Sequence, residues 1–371
     1  MNLERVELFR LAMPLVRPFR TSFGIQYDKD VLLLRVTTDQ GQGWGECVAM
    51  GEPSYSSEYV DGSIDVIKRF LLPELNNAED LESALKARQV WGWIRGHRMS
   101  KAAVEMALLD AEWRAKGVPF GPALGARRTH VDSGVSVGIP EDDSLETLMA
   151  EVDGYMEAGY KRIKLKIQPG WDIEAVAAVR DIYPDVPLQV DANQAYGPAD
   201  IDHLLELDQF DLLLIEQPFA EEDLVTHAEL VEAGTTPVCL DESIVDATTM
   251  YQAIALKAVD VVNIKPGRVG GYLEAVDIHD ICVTHKIPVW CGGMVETGIG
   301  RAANVALAAL PGFTLAGDVS ASDRFFTRDV ITTPFVLRDG GLDVPTGPGL
   351  GVDVDEEALK DLTVWSEDIR F

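Results

Sequence analysis

Four short apolar runs each finish on a charged residue: LQVD on Asp191, LLLIE on Glu216, VCLD on Asp241 and VVNIK on Lys265. The separations are 25, 25 and 24 residues, about the length of one strand–helix unit. Side chains at one phase of consecutive parallel strands converge at the same end of a barrel. Three converging carboxylates would repel one another and be costly to desolvate unless a cation neutralised them. With only oxygen donors and no Cys or His in the pattern, that cation should be hard, Mg²⁺ or Mn²⁺ as its substitute. The plainer alternative is that acidic residues after strands cap the helices that follow, which each of the three could do alone. Recurrence at one phase in three consecutive units favours the metal-binding reading.

A second pattern lies upstream, in RIKLKIQPGWD at 162–172. Lys164 and Lys166 alternate with Ile163, Leu165 and Ile167, so the two lysines share one face of a strand. On an exposed edge they would simply be solvated. On the strand before Asp191 they would face the barrel interior, with Lys265 across from them. A lysine acting as a base near neutrality needs a pKa of about 7–8, roughly three units below normal, or ~4 kcal/mol of differential interaction. Burial, a neighbouring ammonium and a divalent cation all act in that direction. Two lysines flanking a cation-bound carboxylate suit removal and return of the proton on the adjacent carbon.

The elements that must position these residues are legible in outline. VELFRLAMPLVRPFRTSFG and DVLLLRVTTDQGQGWGEC read as a strand meander. YSSEYVDGSIDVIKRFLLPEL and LESALKARQVWGWI read as helices, and SKAAVEMALLDAEWRAKG as an amphipathic helix stopped at Gly117. From about residue 131, eight short apolar runs alternate with helical segments. That pattern predicts a closed parallel barrel rather than an open sheet, since no GxGxxG follows the first strand. The turn-rich stretch after residue 326 is expected to return to the N-terminal domain. The expected division is an α+β capping domain at 1–125, a barrel at 126–325 and a returning segment at 326–371.

Composition narrows the partners. A net charge of −29 opposes binding to nucleic acid. No apolar run of membrane-spanning length and no secretory leader is evident, so a cytoplasmic protein with no membrane partner is expected. Four scattered cysteines form no CxxC pair, and His203, His227, His279 and His285 have no metal-ligand spacing. Any anionic substrate must therefore be drawn in by a local positive site against the overall field.

KLK, VDAN, IEQP, LDES and NIKPGRVGG, in this order and spacing, resemble the muconate-lactonising subgroup of the enolase superfamily across essentially the whole chain. The resemblance implies a modified TIM barrel, (β/α)₇β, capped by an α+β domain built from both chain ends. It implies Lys166 and Lys265 as the acid/base pair, Lys164 as the residue that tunes Lys166, and Asp191, Glu216 and Asp241 as Mg²⁺ ligands. Asn193 and Glu242 would support the site from behind. Within the subgroup, PGWD, PVWCGGMVETGIGRAAN and GDVSASDRFF are most similar to o-succinylbenzoate synthases that often also racemise N-acylamino acids. That likeness implies dehydration of a succinyl-bearing cyclohexadiene carboxylate in menaquinone synthesis, with racemisation as the alternative. Dipeptide epimerases carry Asp-x-Asp on the eighth strand, where this chain has Asp318-Val319-Ser320.

Substrate contacts are expected from Ser136, from the close-approach backbone of Gly292, Gly293 and Met294, and from the capping-loop residues Phe23 and Met50. Phe19 and Tyr55 are weaker candidates. A small-molecule carboxylate is the expected partner, and the family likeness implies a homo-oligomer. The Trp and Met stripe at 91–106 is expected to be core or subunit interface, and Trp91 and Trp93, read as exposed aromatics, are compatible with an oligomer.

Overall fold

The computed structural model describes residues 1–78 and 81–371. In chain order the strands are β1 (Leu3–Thr21), β2 (Gly24–Thr38), β3 (Gly41–Cys47), β4 (His130–Asp132), β5 (Gly134–Val137), β6 (Arg162–Lys166), β7 (Leu188–Asp191), β8 (Ile215–Glu216), β9 (Val238–Leu240), β10 (Val261–Ile264), β11 (Val289–Cys291), β12 (Gly341–Asp343) and β13 (Thr363–Arg370).

The first three strands form the expected meander, and β13 adds antiparallel to β1, giving the order β13-β1-β2-β3. The returning C-terminal segment thus completes the capping sheet. Its inner face packs on the helix Arg98–Lys116, which ends on Gly117 at φ 67°. The structure extends this helix two residues upstream of the expected start and changes its character. Nearly every residue from Met99 to Trp113 is buried, so it is a central helix rather than an amphipathic one. Ala103 and Ala107, one turn apart, let β3 approach so closely that a Cβ on Gly45 would lie 2.0 Å from the Ala103 carbonyl oxygen. Only glycine fits there.

The segment read as a helix over LESALKARQVWGWI is different. It forms only the turns Ala84–Lys86 and Ala87–Val90. Tertiary contacts override the local pattern: the Ser83 hydroxyl and the Ala84 N–H both bind the Glu112 carboxylate of the central helix. Trp91 then turns into the core at 2% exposure, against the expectation that it is exposed, while Trp93 remains 60% exposed.

Strands β5 to β11 form one parallel sheet in sequential order, with a helix crossing over after most strands. The eighth apolar run, FTLAGDVS, is not a regular strand. It closes the ring by single parallel bridges, Gly317 to Ser133 and Phe313 to Val289, with Gly134 N donating to Gly317 O and Asp318 N to Cys291 O. β12 pairs with β4 below the ring. Among the described residues, no helix is long and apolar enough to cross a membrane.

Candidate active site

The parallel register sets the site. Lys166 pairs in register with Asp191, and Asp191 with Glu216, so three charged side chains stand at one level on three adjacent strands. Asp241 and Lys265 follow directly after β9 and β10. In a ring of seven strands and one closing segment, β6 and β10 lie four positions apart, which is opposite. Lys166 and Lys265 therefore face each other across the barrel mouth.

Asp191, Glu216 and Asp241 are each fully buried. Lys166 Nζ donates to Asp191 Oδ2 at 2.6 Å and to Asn193 Oδ1 at 2.5 Å. Asn193 Nδ2 in turn donates to Glu242 Oε1 at 3.0 Å, so both expected supporting residues are in place beside Lys166. Asn193 adopts φ 43°, a left-handed conformation that Asn tolerates better than most residues. Across the mouth, Lys265 Nζ donates to Asp241 Oδ2 at 2.6 Å and to the Tyr55 hydroxyl at 3.2 Å.

Lys164 does not contact Lys166 as its electrostatic neighbour alone. Its ammonium lies 2.7 Å from Asp318, 2.9 Å from Glu216 and 3.1 Å from Asp191, over the face of Trp290. Burial pushes Lys164 down, but Asp318, Glu216 and Asp191 outweigh it and hold the ammonium above its ordinary range. Burial likewise opposes Lys265, and Asp241 leads the groups that raise it. The downward pull expected of neighbouring lysines is thus overcome at both positions by the facing carboxylates. Burial raises Asp191 too, yet Lys166 and Lys164 bring it well below the carboxylate range. Glu216 goes the other way, raised by burial and by the Asp191 charge.

That crowding bears on cation binding. The three carboxylates stand on consecutive strands, Asp191 and Glu216 in register and Asp241 two residues beyond, and their all-oxygen set is the donor chemistry of a hard divalent ion. Among the described residues, no three His, Cys, Asp or Glu side chains stand close enough to ligate one ion as they are, because each carboxylate is turned to a lysine. Burial and the Asp191 and Asp241 charges keep Glu216 raised despite Lys164, and a cation among the three would remove that repulsion, so the donor set fits one.

Above these residues lies an open cleft. Its lining includes Lys164, Lys166 and Lys265, with Arg301 and Arg324 adding cations and Asp318 and Glu296 carboxylates. Ser136 lines it, its buried hydroxyl unpartnered among the described residues, and Gly293 lines it as well. Gly292, Met294, Phe23 and Met50 do not line this cleft. Phe23 instead packs its ring on Tyr55 at 5.8 Å, and Met50 packs against the core. Phe19 does line the cleft, edge-on to Phe325.

Residues 5–125 match the mandelate racemase / muconate lactonizing enzyme N-terminal domain, and residues 147–358 match the enolase C-terminal domain-like family. The chain belongs to the enolase superfamily. It is 58% identical over 369 residues to an N-succinylamino acid racemase of Amycolatopsis sp, covering 98% of this chain and 99% of that protein. It is 43% identical to an o-succinylbenzoate synthase of Geobacillus stearothermophilus, covering 99% and 97%. Among solved structures, an enolase superfamily protein from Listeria innocua superposes with a TM-score of 0.95 at 40% identity, covering 100% and 99%. A muconate lactonizing enzyme of Pseudomonas fluorescens superposes at 0.91 with 25% identity, covering 98% and 99%.

Two residues of this cluster had no role in the reading of the residues: Arg268 was not singled out, and Asp318 entered only as the first residue of Asp318-Val319-Ser320. Arg268 Nη2 sits 2.9 Å from Asp241, and Asp318 bridges Lys164 and Arg162. The signal for Asp318 was its place at the end of the eighth apolar run. Gly292 has a different role from a substrate contact: a Cβ there would lie 2.2 Å from Asn263 Oδ1 and 2.7 Å from Lys265 Cε. Gly292→Ala should therefore displace Lys265 and lower kcat on the order of 10²-fold, the cost of about 1 Å of misplacement. Steady-state kinetics with an unchanged far-UV circular dichroism spectrum checks this.

Proposed function

We propose that this chain is a Mg²⁺-dependent enzyme that removes the proton next to a carboxylate in succinyl-bearing substrates. In this reading it carries out both o-succinylbenzoate synthesis by dehydration, in menaquinone formation, and racemisation of N-succinylamino acids. The carrying observation is the placement of Lys166 and Lys265 on opposite strands of one cleft, with three buried carboxylates between them.

Asp191, Glu216 and Asp241 would hold the ion, which supplies the positive charge that stabilises the deprotonated substrate's carboxylate oxygens. Lys166 takes the proton from one face, steadied by Asn193. In racemisation Lys265 returns a proton from the opposite face, which inverts the centre. In dehydration Lys166, now an ammonium, protonates the departing hydroxide, and Lys265 contributes its charge alone. Lys164, Arg301 and Arg324 make the cleft wall positive, so a dianionic succinyl compound is attracted locally despite a net charge of −29.

The dehydration reading is favoured by the relatives named o-succinylbenzoate synthase at 40–43% identity, and racemisation by the relative at 58%. An ammonium-bearing dipeptide fits poorly, since Asp318, the one acid of the Asp-x-Asp position, is already paired with Lys164 and Arg162. The deciding experiment is a side-by-side kcat/KM with Mg²⁺ on the cyclohexadiene carboxylate and on N-succinylamino acids. Turnover of both is expected; turnover of neither rejects the reading, and turnover of one alone removes the other half.

A further inference from the structure

Lys29 is a charged side chain for which the site above has no use. It lies on β2 of the capping sheet, 2% exposed, and forms no hydrogen bond or ion pair among the described residues. Burial pulls its ammonium down, and the charges that oppose this are Glu296 first, then Glu46, with the neutral-leaning Cys47 and Asp30 behind. In the β2–β3 register Leu33 pairs with Glu46. Lys29 precedes Leu33 by four residues, so Lys29 and Glu46 project from the same face of the sheet.

Glu46 reaches out of the capping domain to the loop after β11. Its carboxylate accepts from Thr297 N at 3.0 Å, Thr297 Oγ1 at 2.6 Å and Gly300 N at 2.9 Å, capping the helix Gly298–Ala308. Glu296 holds the same loop from the barrel side, accepting from Met294 N at 2.8 Å and Asn304 Nδ2 at 3.0 Å. The two glutamates flank Gly300, where a Cβ would lie 2.8 Å from Glu46 Oε2 and 2.9 Å from Glu296 Cγ. Between them the loop is forced: Val295, β-branched, sits at φ 60°. Such a conformation persists only where the surroundings over-determine it. Gly293, Val295 and Glu296 all line the reaction cleft.

We propose that Lys29 is a positioning residue: its buried ammonium balances the Glu46 and Glu296 carboxylates, and through them the capping domain sets the shape of the cleft wall at residues 292–297. Two buried carboxylates on either side of one glycine repel each other. Burial and, less strongly, the Glu296 charge push Glu46 up to about 7 against the hydrogen bonds from Thr297 and Gly300. Remove the ammonium and one carboxylate must take a proton or swing away. Either change costs the loop an acceptor for its N–H groups. The kinetic arm of the test rests on the proposed function; the exchange arm does not.

The test is amide hydrogen exchange by mass spectrometry on the full chain as wild type, K29M, K29R and K29M/E46Q, with steady-state kinetics on the same preparations. K29M should speed exchange across 292–301 about tenfold while the central helix Arg98–Lys116 keeps its protection. K29R should restore the wild-type pattern. KM should rise about tenfold in K29M with kcat within about threefold, a split that general destabilisation would not produce. A folded K29M with wild-type protection at 292–301 overturns the proposal. If K29M fails to fold, K29M/E46Q, which removes the opposing charges together, is expected to fold; a double variant that stays unfolded also overturns it. A wild type inactive on both substrates rejects the proposed function, and the exchange pattern still decides the role of Lys29.

Discussion

Lys166→Ala is expected to lower both activities by about 10³–10⁴-fold, at the upper end for loss of one general acid–base group. Lys265→Ala should divide them: racemisation falls by a similar factor, whereas dehydration falls by only about 10–10²-fold. The asymmetry follows from the ring. Lys166 and Lys265 reach the cleft from opposite strands. A reaction that inverts a centre needs a proton donor on each side, while one that expels a group on the side from which the proton left needs one only. Stereospecific exchange of the substrate's α-proton with solvent deuterium adds a second reading. In Lys265→Ala, one enantiomer of an N-succinylamino acid should still exchange and the other should not. Equal loss of exchange with both enantiomers would show that the two lysines do not work from opposite faces.

Removing the divalent ion should be as damaging. Protein dialysed against a chelator is expected to lose both activities by more than ~10³-fold and to regain them with Mg²⁺ or Mn²⁺, since several kcal/mol of charge stabilisation would be missing. The ligand set can be tested without turnover. Asp241→Asn keeps the shape of the side chain but removes one of three buried charges, and should weaken Mg²⁺ binding in a calorimetric titration by at least the ~10–100-fold seen for loss of an outer partner. Unchanged affinity would take Asp241 out of the set. The structure supplies the reason to expect coupling with the lysines: Lys166, Lys164 and Lys265 share these carboxylates, so an entering cation competes with ammonium groups.

What could be read without coordinates was what depends on short-range order. Alternation places Lys164 and Lys166 on one face, and a repeat of one strand–helix unit brings Asp191 and Glu216 into register and sets Asp241 two residues further along the same face, because parallel register transmits position from strand to strand. The eighth run was legible as apolar but not as irregular, since its closure depends on a bridge from Gly317 to Ser133, at the far end of the barrel segment. For Trp91 the core reading of the 91–106 stripe held and the exposed one did not, since nothing nearby announces that the Glu112 carboxylate will bind Ser83 and Ala84. Tyr55 comes from the N-terminal segment to meet Lys265, and Arg268 reaches back over a whole strand–helix unit to Asp241. Contacts of that kind have no period to betray them.

The sheet order β13-β1-β2-β3 also carries a consequence for when the protein becomes competent. β1 is translated before the whole barrel, yet its second neighbour, Thr363–Arg370, is translated after it. At about 5–20 residues per second, β1 waits tens of seconds with one edge unpaired while the intervening segments are made. The loops that carry Phe19 and Tyr55 hang from that unfinished sheet. The barrel can assemble its carboxylates and lysines during synthesis, but the cleft gains its roof only after β13 has been made. A nascent chain should therefore be safe from premature chemistry, and exposed to edge-to-edge pairing with its neighbours on a crowded polysome.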